Sequence, residues 1–103
     1  MRRMMQKVPK ADVIITNPTH YAVALQYDLT TSMAPVVVAK GVDYMAKRIR
    51  DVGRENGVEI VQNPPLARQI YNDVQLDHPI PQELYEAVAE ILAYVFTLKN
   101  KAG

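Results

Sequence analysis

The chain has 103 residues, with 12 Lys and Arg, 11 Asp and Glu, two His and no Cys. This length predicts one domain, and the absence of Cys excludes disulfides, thiol nucleophiles and Cys-bound zinc. The two His show no metal-ligand spacing, so we expect neither a metal nor a cofactor. Basic residues are not interleaved with aromatic ones, which disfavours a nucleic-acid partner. No apolar run reaches about 18 residues, so the sequence predicts no transmembrane helix.

The first ten residues are basic. Their charged side chains are all positive: Arg2, Arg3, Lys7 and Lys10. Pro9 lacks the amide hydrogen that a continuing helix needs, so it should separate this segment from the first strand. We therefore interpret residues 1–10 as a basic linker, helical or frayed, and residues 11–103 as a single domain.

Two strand-like runs flank the sequence Asn-Pro-Thr-His at residues 17–20, which we call the NPTH turn. A β-branched run predicts a strand at about residues 12–16, and alternating apolar side chains predict another at about residues 21–27. Proline disfavours helical geometry at the residue before it. Asn17 should therefore be extended at the end of the first strand, with Pro18 behind it.

That geometry leaves one intramolecular reaction open, because Pro18 has no N–H with which to attack the Asn17 side chain and only the reverse attack remains. The Asn17 side-chain nitrogen attacks its own main-chain carbonyl, closes a succinimide and expels Pro18 as an amine. Good orientation of such an attack is worth roughly 7–11 kcal/mol. His20 is the candidate acid or base, and Thr19 is a candidate to position a proton or the oxyanion. The alternative is an ordinary turn, which Asn-Pro commonly initiates.

The middle of the chain predicts a strand, a helix and a second strand. Residues 28–35 are rich in turn formers and predict an exposed loop, and the apolar run at residues 36–39 predicts a strand buried on both faces. A helix should follow at residues 43–55 and end at Gly57, before another buried strand at residues 58–61. This order predicts a βαβ unit with a right-handed, parallel crossover.

The last third of the chain predicts two helices. The double proline after Asn63 should end the strand and start a short helix at residues 66–71. A longer helix is predicted at residues 82–98, where apolar side chains recur at helical spacing and should pack against the sheet. These side chains are Leu84, Val88, Ile91, Leu92 and Val95. The predicted fold class is α/β, with a small mixed sheet of about four strands flanked by helices.

Two loops are candidate contact sites for partners. One precedes a helix start, where an anion can bind, although the sequence has no phosphate-loop or dinucleotide fingerprint. The other places a basic side chain near the start of a short helix, and the alternative there is a structural turn. The candidate partner-binding residues are Lys40, Pro65, Leu66, Ala67 and Arg68. A small enzyme that uses these loops on a diffusible substrate is a competing hypothesis.

Four motifs in order carry a resemblance over nearly the whole chain. They are NPTHYAVALQY at residues 17–27, VVVAKGVD at residues 36–43, NPPLAR at residues 63–68 and IPQELYEAVAEILAYVF at residues 80–96. Together they resemble the cytoplasmic domain of the flagellar type III export switch proteins. This family is called FlhB in flagella and is shared with the injectisome switch proteins.

The resemblance implies a domain that follows a membrane domain, lies at the cytoplasmic face of the bacterial inner membrane and cuts itself between Asn17 and Pro18. It implies that the two pieces stay associated and that the cut permits a change of export specificity, from rod- and hook-type to filament-type substrates. The implied partners are other export-gate proteins, a hook-length control protein and export substrates. One intramolecular cut does not make an enzyme in the usual sense. The alternative function is a non-cleaving interaction or scaffold domain of a secretion apparatus.

Overall fold

Four strands form one mixed sheet in the computed structural model, which describes residues 2–18, 20–27 and 34–102. The strands are β1 (Val13–Asn17), β2 (Tyr21–Gln26), β3 (Val36–Val42) and β4 (Glu59–Gln62). The helices are α1 (Arg2–Lys7), α2 (Asp43–Glu55), α3 (Pro64–Asp73) and α4 (Tyr85–Ala102), with 3-10 turns at Val8–Lys10 and Gln82–Leu84. Within the described ranges, no helix is both long and apolar enough to cross a membrane. The predicted fold class is confirmed.

The strands are ordered β3–β2–β1–β4. β1 pairs antiparallel with β2, where Asn17 lies opposite Tyr21, and parallel with β4, where Thr16 lies opposite Gln62. Because β3 is antiparallel to β2, β3 and β4 run in the same direction at opposite edges of the sheet. α2 therefore joins two parallel strands, as the predicted βαβ unit requires, and its connection passes over the two strands between them. The handedness of that crossover stays a prediction.

β1 is buried on both faces of the sheet. Successive side chains of a strand alternate, so Val13 and Ile15 pack with α3 and α4, whereas Ile14 packs with α1 and α2. All three side chains are fully buried, and each contributes about 1.5–3 kcal/mol. α2 approaches β1 so closely at Gly53 that a Cβ there would overlap the Ile14 side chain. The main chain that leads into the NPTH turn is therefore firmly held.

α4 covers one face of the sheet, as predicted. Val88, Leu92 and Val95 are buried in one cluster with Ile15 of β1, which confirms the helical spacing of the apolar side chains. The predicted start at residue 82 corresponds to the short 3-10 turn, and the helix proper follows it.

Two sequence predictions need correction, and a third falls outside the described part of the chain. The strand predicted as buried at residues 58–61 is β4, whose side chains are half-buried or exposed because it lies at a sheet edge. α3 is longer than the predicted residues 66–71, because the Asn63 side chain accepts a hydrogen bond from the Leu66 N–H at 3.3 Å and caps the helix at Pro64. Of the loop predicted at residues 28–35, residues 28–33 lie outside the described ranges.

The basic segment at the start of the chain is helical, one of the two forms that its sequence predicts. Met4 and Val8 are buried against the cluster that includes Ile14, and the Lys7 ammonium lies 2.8 Å from an Asp77 carboxylate oxygen. This packing against the sheet is a contact that the interpretation as a linker did not include.

Candidate functional site

The NPTH turn begins where β1 ends. The His20 main-chain N–H donates a hydrogen bond to the Asn17 carbonyl oxygen at 2.9 Å. Asn17 is half-buried, whereas Pro18 and His20 are exposed. Thr19 lies outside the described residues, so its predicted role stays a prediction. The carbonyl of the bond between Asn17 and Pro18 thus faces a fixed hydrogen-bond donor.

Hydrogen bonds hold both sides of β1 up to the residue before the cut. Asn17 is paired with Tyr21 of β2. On the other side, the Asn63 N–H donates to the Thr16 carbonyl oxygen at 2.9 Å, just beyond the β4 ladder. These contacts confirm that Asn17 lies extended at a strand end, because it is the last residue of β1.

His20 has a carboxylate neighbour that the sequence did not reveal. Its Nδ1 lies 3.5 Å from an Asp43 carboxylate oxygen, and its carbonyl oxygen accepts a hydrogen bond from the Asp43 N–H at 2.9 Å. Both side chains are exposed, at 65% and 74%. Asp43 starts α2 with a left-handed φ of 48°, a conformation that Asp tolerates better than most residues. The side-chain distance exceeds that of an ordinary hydrogen bond, so the pair orients the imidazole loosely.

Asp43 reaches His20 through strand pairing. Tyr21 lies opposite Val42 in the β2–β3 ladder, so the residues just outside that pair meet at the same end of the sheet. The only sequence signal was that Asp43 is the first residue of the predicted helix at residues 43–55, and no local pattern connects it to residue 20.

Lys40 is not a free cation at a loop. Its ammonium donates to the carbonyl oxygens of Tyr71 and Val74, at 2.9 and 2.8 Å, and lies 4.9 Å from the centre of the Tyr71 ring. The Tyr71 ring in turn packs 5.2 Å from that of Tyr21. Lys40 therefore stabilises the carbonyl end of α3 and supports the strand that follows the NPTH turn.

The other candidate partner residues divide between core and surface. Leu66 and Ala67 are buried, with 6% and 0% of their surface exposed. Pro65 and Arg68 are exposed. These two are the members of the predicted partner-binding set whose side chains a partner can reach, and contact with a partner stays a prediction for them.

Two cavities lie on the described surface near β1 and α4. The larger, of about 620 Å³, is apolar and lies along α4, away from the NPTH turn. The smaller, of about 460 Å³, is polar and includes Thr16, Pro18, Arg50 and Arg54 in its lining. Among the described residues, no group of three or more His, Asp or Glu is placed to hold a metal ion.

Residues 1–95 match the model of the FlhB HrpN YscU SpaS family. The chain is 57% identical over 101 residues to the flagellar biosynthetic protein FlhB of Bacillus subtilis, covering 98% of this chain and 28% of the relative. It is 57% identical over 99 residues to FlhB of Salmonella typhimurium, covering 96% and 26%. The chain therefore spans little more than a quarter of the length of these relatives.

Solved structures of two relatives have the same fold. The cytoplasmic domain of FlhB from Shewanella putrefaciens superposes with a TM-score of 0.92 at 55% identity, covering 98% of this chain and 78% of that one. A mutated EscU C-terminal domain superposes with a TM-score of 0.85 at 27% identity, covering 89% of this chain and 98% of that one.

Proposed function

Since the chain belongs to the FlhB, HrpN, YscU and SpaS family, we propose that it is the cytoplasmic domain of a flagellar type III export component that cuts itself once between Asn17 and Pro18. The observation that carries this proposal is the hydrogen bond from the His20 N–H to the Asn17 carbonyl oxygen. That oxygen gains negative charge when the carbonyl is attacked, and a fixed donor at 2.9 Å stabilises the charge.

The reaction balances within the chain. The Asn17 carboxamide nitrogen forms a bond to the Asn17 main-chain carbonyl carbon and loses a proton. The bond to the Pro18 nitrogen then breaks, and that nitrogen takes up a proton and leaves as an amine. Residue 17 is left as a succinimide, which water opens at the main-chain carbonyl to give an α-carboxylate and to restore the carboxamide.

His20 is the proposed carrier of the proton from the attacking to the leaving nitrogen. It is exposed, it belongs to the same turn, and Asp43 lies beside its Nδ1. A side chain in this role contributes about 10²–10⁴-fold to a rate. Because the side chain and the main-chain N–H of His20 have separate tasks, replacing the side chain tests the proton transfer alone.

The two pieces remain associated in this proposal. The cut falls after the last ladder residue of β1, so the peptide keeps its pairing with β2 and β4. It also keeps the fully buried side chains of Val13, Ile14 and Ile15. Breaking the bond between Asn17 and Pro18 therefore removes no strand pairing.

The cut permits the change of export specificity from rod- and hook-type to filament-type substrates. The proposed partners are other export-gate proteins, a hook-length control protein and the export substrates. Family membership and the 57% identity to flagellar biosynthetic proteins support this role. We also propose that the whole protein is embedded in the bacterial inner membrane, with this domain at its cytoplasmic face.

Mass spectrometry of the denatured protein tests the cleavage directly. Wild type should give two species, residues 1–17 and residues 18–103, and Asn17→Ala should give one uncut chain, because it lacks the attacking nitrogen. A wild-type chain that stays whole at neutral and mildly alkaline pH would favour the alternative, a non-cleaving interaction domain. Cells that carry Asn17→Ala in the whole protein should export hook-type but not filament-type substrates.

A further inference from the structure

The polar cavity beside the NPTH turn is lined by the two residues that flank Asn17. Thr16 and Pro18 form part of its wall, and α2 contributes Arg50 and Arg54. α2 is held against this part of β1 by the close approach at Gly53. Pro18, on one side of the bond that breaks in the proposed cleavage, therefore lines the same cavity as Arg50 and Arg54.

The charges that face this cavity come from two elements. Arg50 and Arg54 come from α2 and Glu59 from β4. Arg54 has a partner, since its Nη1 lies 3.6 Å from an oxygen of Asp51, a carboxylate that Lys47 also contacts at 2.8 Å. Two cations and one anion line the cavity, so an added negative charge is favoured there.

Arg50 is the unusual member of this set. Its Nη1 is buried and has no hydrogen-bond acceptor among the described residues. A buried donor without a partner costs free energy, more so when the group is charged. A guanidinium group presents planar, paired donors that fit a carboxylate in two-point contact. The missing partner of Arg50 is thus best supplied by a carboxylate.

We infer that this cavity is a binding site for the α-carboxylate that cleavage leaves on Asn17, with Arg50 as its principal contact and Arg54 as a second cation. The inference rests on the proposed self-cleavage, which creates the carboxylate. Before the cut, residue 17 ends in a neutral amide bond and brings no negative charge to the site. After the cut, the same position carries a negative charge, so the site retains the peptide selectively in the cleaved state.

A double-mutant cycle, measured as melting temperatures, distinguishes carboxylate binding by Arg50 from a general packing role. Arg50→Met should leave the melting temperature unchanged or raised in the uncut Asn17→Ala protein, because it removes a buried Nη1 donor that has no acceptor among the described residues. In the cleaved protein, at equal concentration, it should lower the melting temperature. A tenfold weaker peptide contact corresponds to a difference between the two backgrounds of about 5 °C or more for a domain of this size. Arg48→Met, on the exposed side of the same helix, should show no such difference.

The carboxylate itself gives a second readout. With the Asn main-chain carbonyl carbons labelled with ¹³C, the resonance of the new chain end can be followed by NMR as pH falls. A cation in contact favours the charged form, so the titration midpoint should lie about one pH unit or more below the ordinary C-terminal value of about 3.3–3.7. It should return towards that value in Arg50→Met but not in Arg48→Met.

The outcomes distinguish the two proposals. A chain that stays whole overturns both the cleavage and the carboxylate site. A cleaved chain with an ordinary titration midpoint, or with the same Arg50→Met effect in both backgrounds, overturns the site alone. Should Arg50→Met not fold, the same titration in Arg50→Gln, which removes the charge and keeps a polar side chain, decides the question.

Discussion

β1 and the turn that follows it are adjacent in the chain and differ in almost every physical respect. β1 is paired at both edges and buried on both faces. In the turn, Pro18 and His20 are exposed, and two main-chain hydrogen bonds and one loose side-chain contact with Asp43 connect His20 to its surroundings. This difference suits a reaction in which the carbonyl group of Asn17 stays fixed while the Pro18 nitrogen moves away from it. The strand fixes the carbonyl that is attacked, and the exposed turn carries the departing amine.

The largest expected effect comes from removing the proton carrier in the exposed half. His20→Ala should slow cleavage by about 10²–10⁴-fold, while the main-chain N–H and the fold remain. The rate is measured as loss of the full-length band after purification of freshly made protein. His78→Ala, which changes the other, exposed histidine far from the turn, should cut at the wild-type rate. Equal rates for wild type and His20→Ala would remove the imidazole from the mechanism.

The next largest effect tests the fixed half. Ile15→Ala should lower the free energy of unfolding of the uncut protein by about 2–5 kcal/mol, because it leaves a cavity between β1 and α4. Ile60→Ala, on the half-buried edge strand β4, should cost clearly less. Denaturant unfolding in the Asn17→Ala background measures both. A larger loss for Ile60→Ala would mean that β1 is not the better-held strand.

A smaller effect tests the contact between the turn and α2. Asp43→Asn keeps a residue that tolerates left-handed φ but removes the charge beside His20. Exposed pairs contribute little, so cleavage should slow by roughly two- to fivefold. Asp73→Asn, an exposed carboxylate on α3, is the control. A wild-type rate in Asp43→Asn would show that the imidazole needs no carboxylate to orient it.

The smallest effect concerns the ion pair between Lys47 and Asp51 on α2. The hydrogen bond from Lys47, and the positive charges of Lys47, Arg54 and Arg50, hold the pKa of Asp51 below its ordinary value. A carboxyl whose pKa is lower in the folded state stabilises the protein above its unfolded pKa and loses that contribution as pH falls through the folded value. Between neutral pH and pH about 3, wild type should therefore lose slightly more stability than Asp51→Asn. The Asp51 side chain is 44% exposed and water screens its charge, so the melting curves should differ by little, and an equal loss would contradict the shift.

Local patterns were enough for most elements and for the position of Asn17 and Pro18 at the end of a strand. The bounds of α2, the position of Asn17 at a strand end and the apolar stripe of α4 all follow from periodicity and from the backbone limits of proline. The earlier start of α3, at Pro64, depends on the Asn63 side chain as an N-cap. The double proline predicts the end of a strand and the start of a helix, but it does not reveal this cap. β4 is half-buried because it lies at a sheet edge. An apolar run predicts a strand but not the position of that strand in the sheet, so the sequence overestimated its burial.

The residues that sequence reasoning missed are those brought in by pairing between distant segments. Asp43 meets His20 because Tyr21 and Val42 are opposite one another. Arg50 lines the same cavity as Thr16 of β1 because α2 packs on that face of the sheet at Gly53. Lys40 was assigned to a partner surface, yet α3 carbonyls occupy its ammonium. In each case the contact depends on a register or a close approach that no single segment specifies.

The place of β1 in the strand order has a mechanical consequence. Both of its neighbours, β2 and β4, lie on the far side of the proposed cut in the chain. If β1 were an edge strand, it could separate from the sheet by breaking one hydrogen bond after another. Because β1 is a central strand, it can leave only if its hydrogen bonds to β2 and to β4 break together. Its loss would split the sheet and bare two unpaired borders at once, each able to recruit another chain. If the proposed cut occurs, the two pieces should therefore respond to force as one unit, because a pull on the first residues is transmitted through β1 to the middle of the sheet.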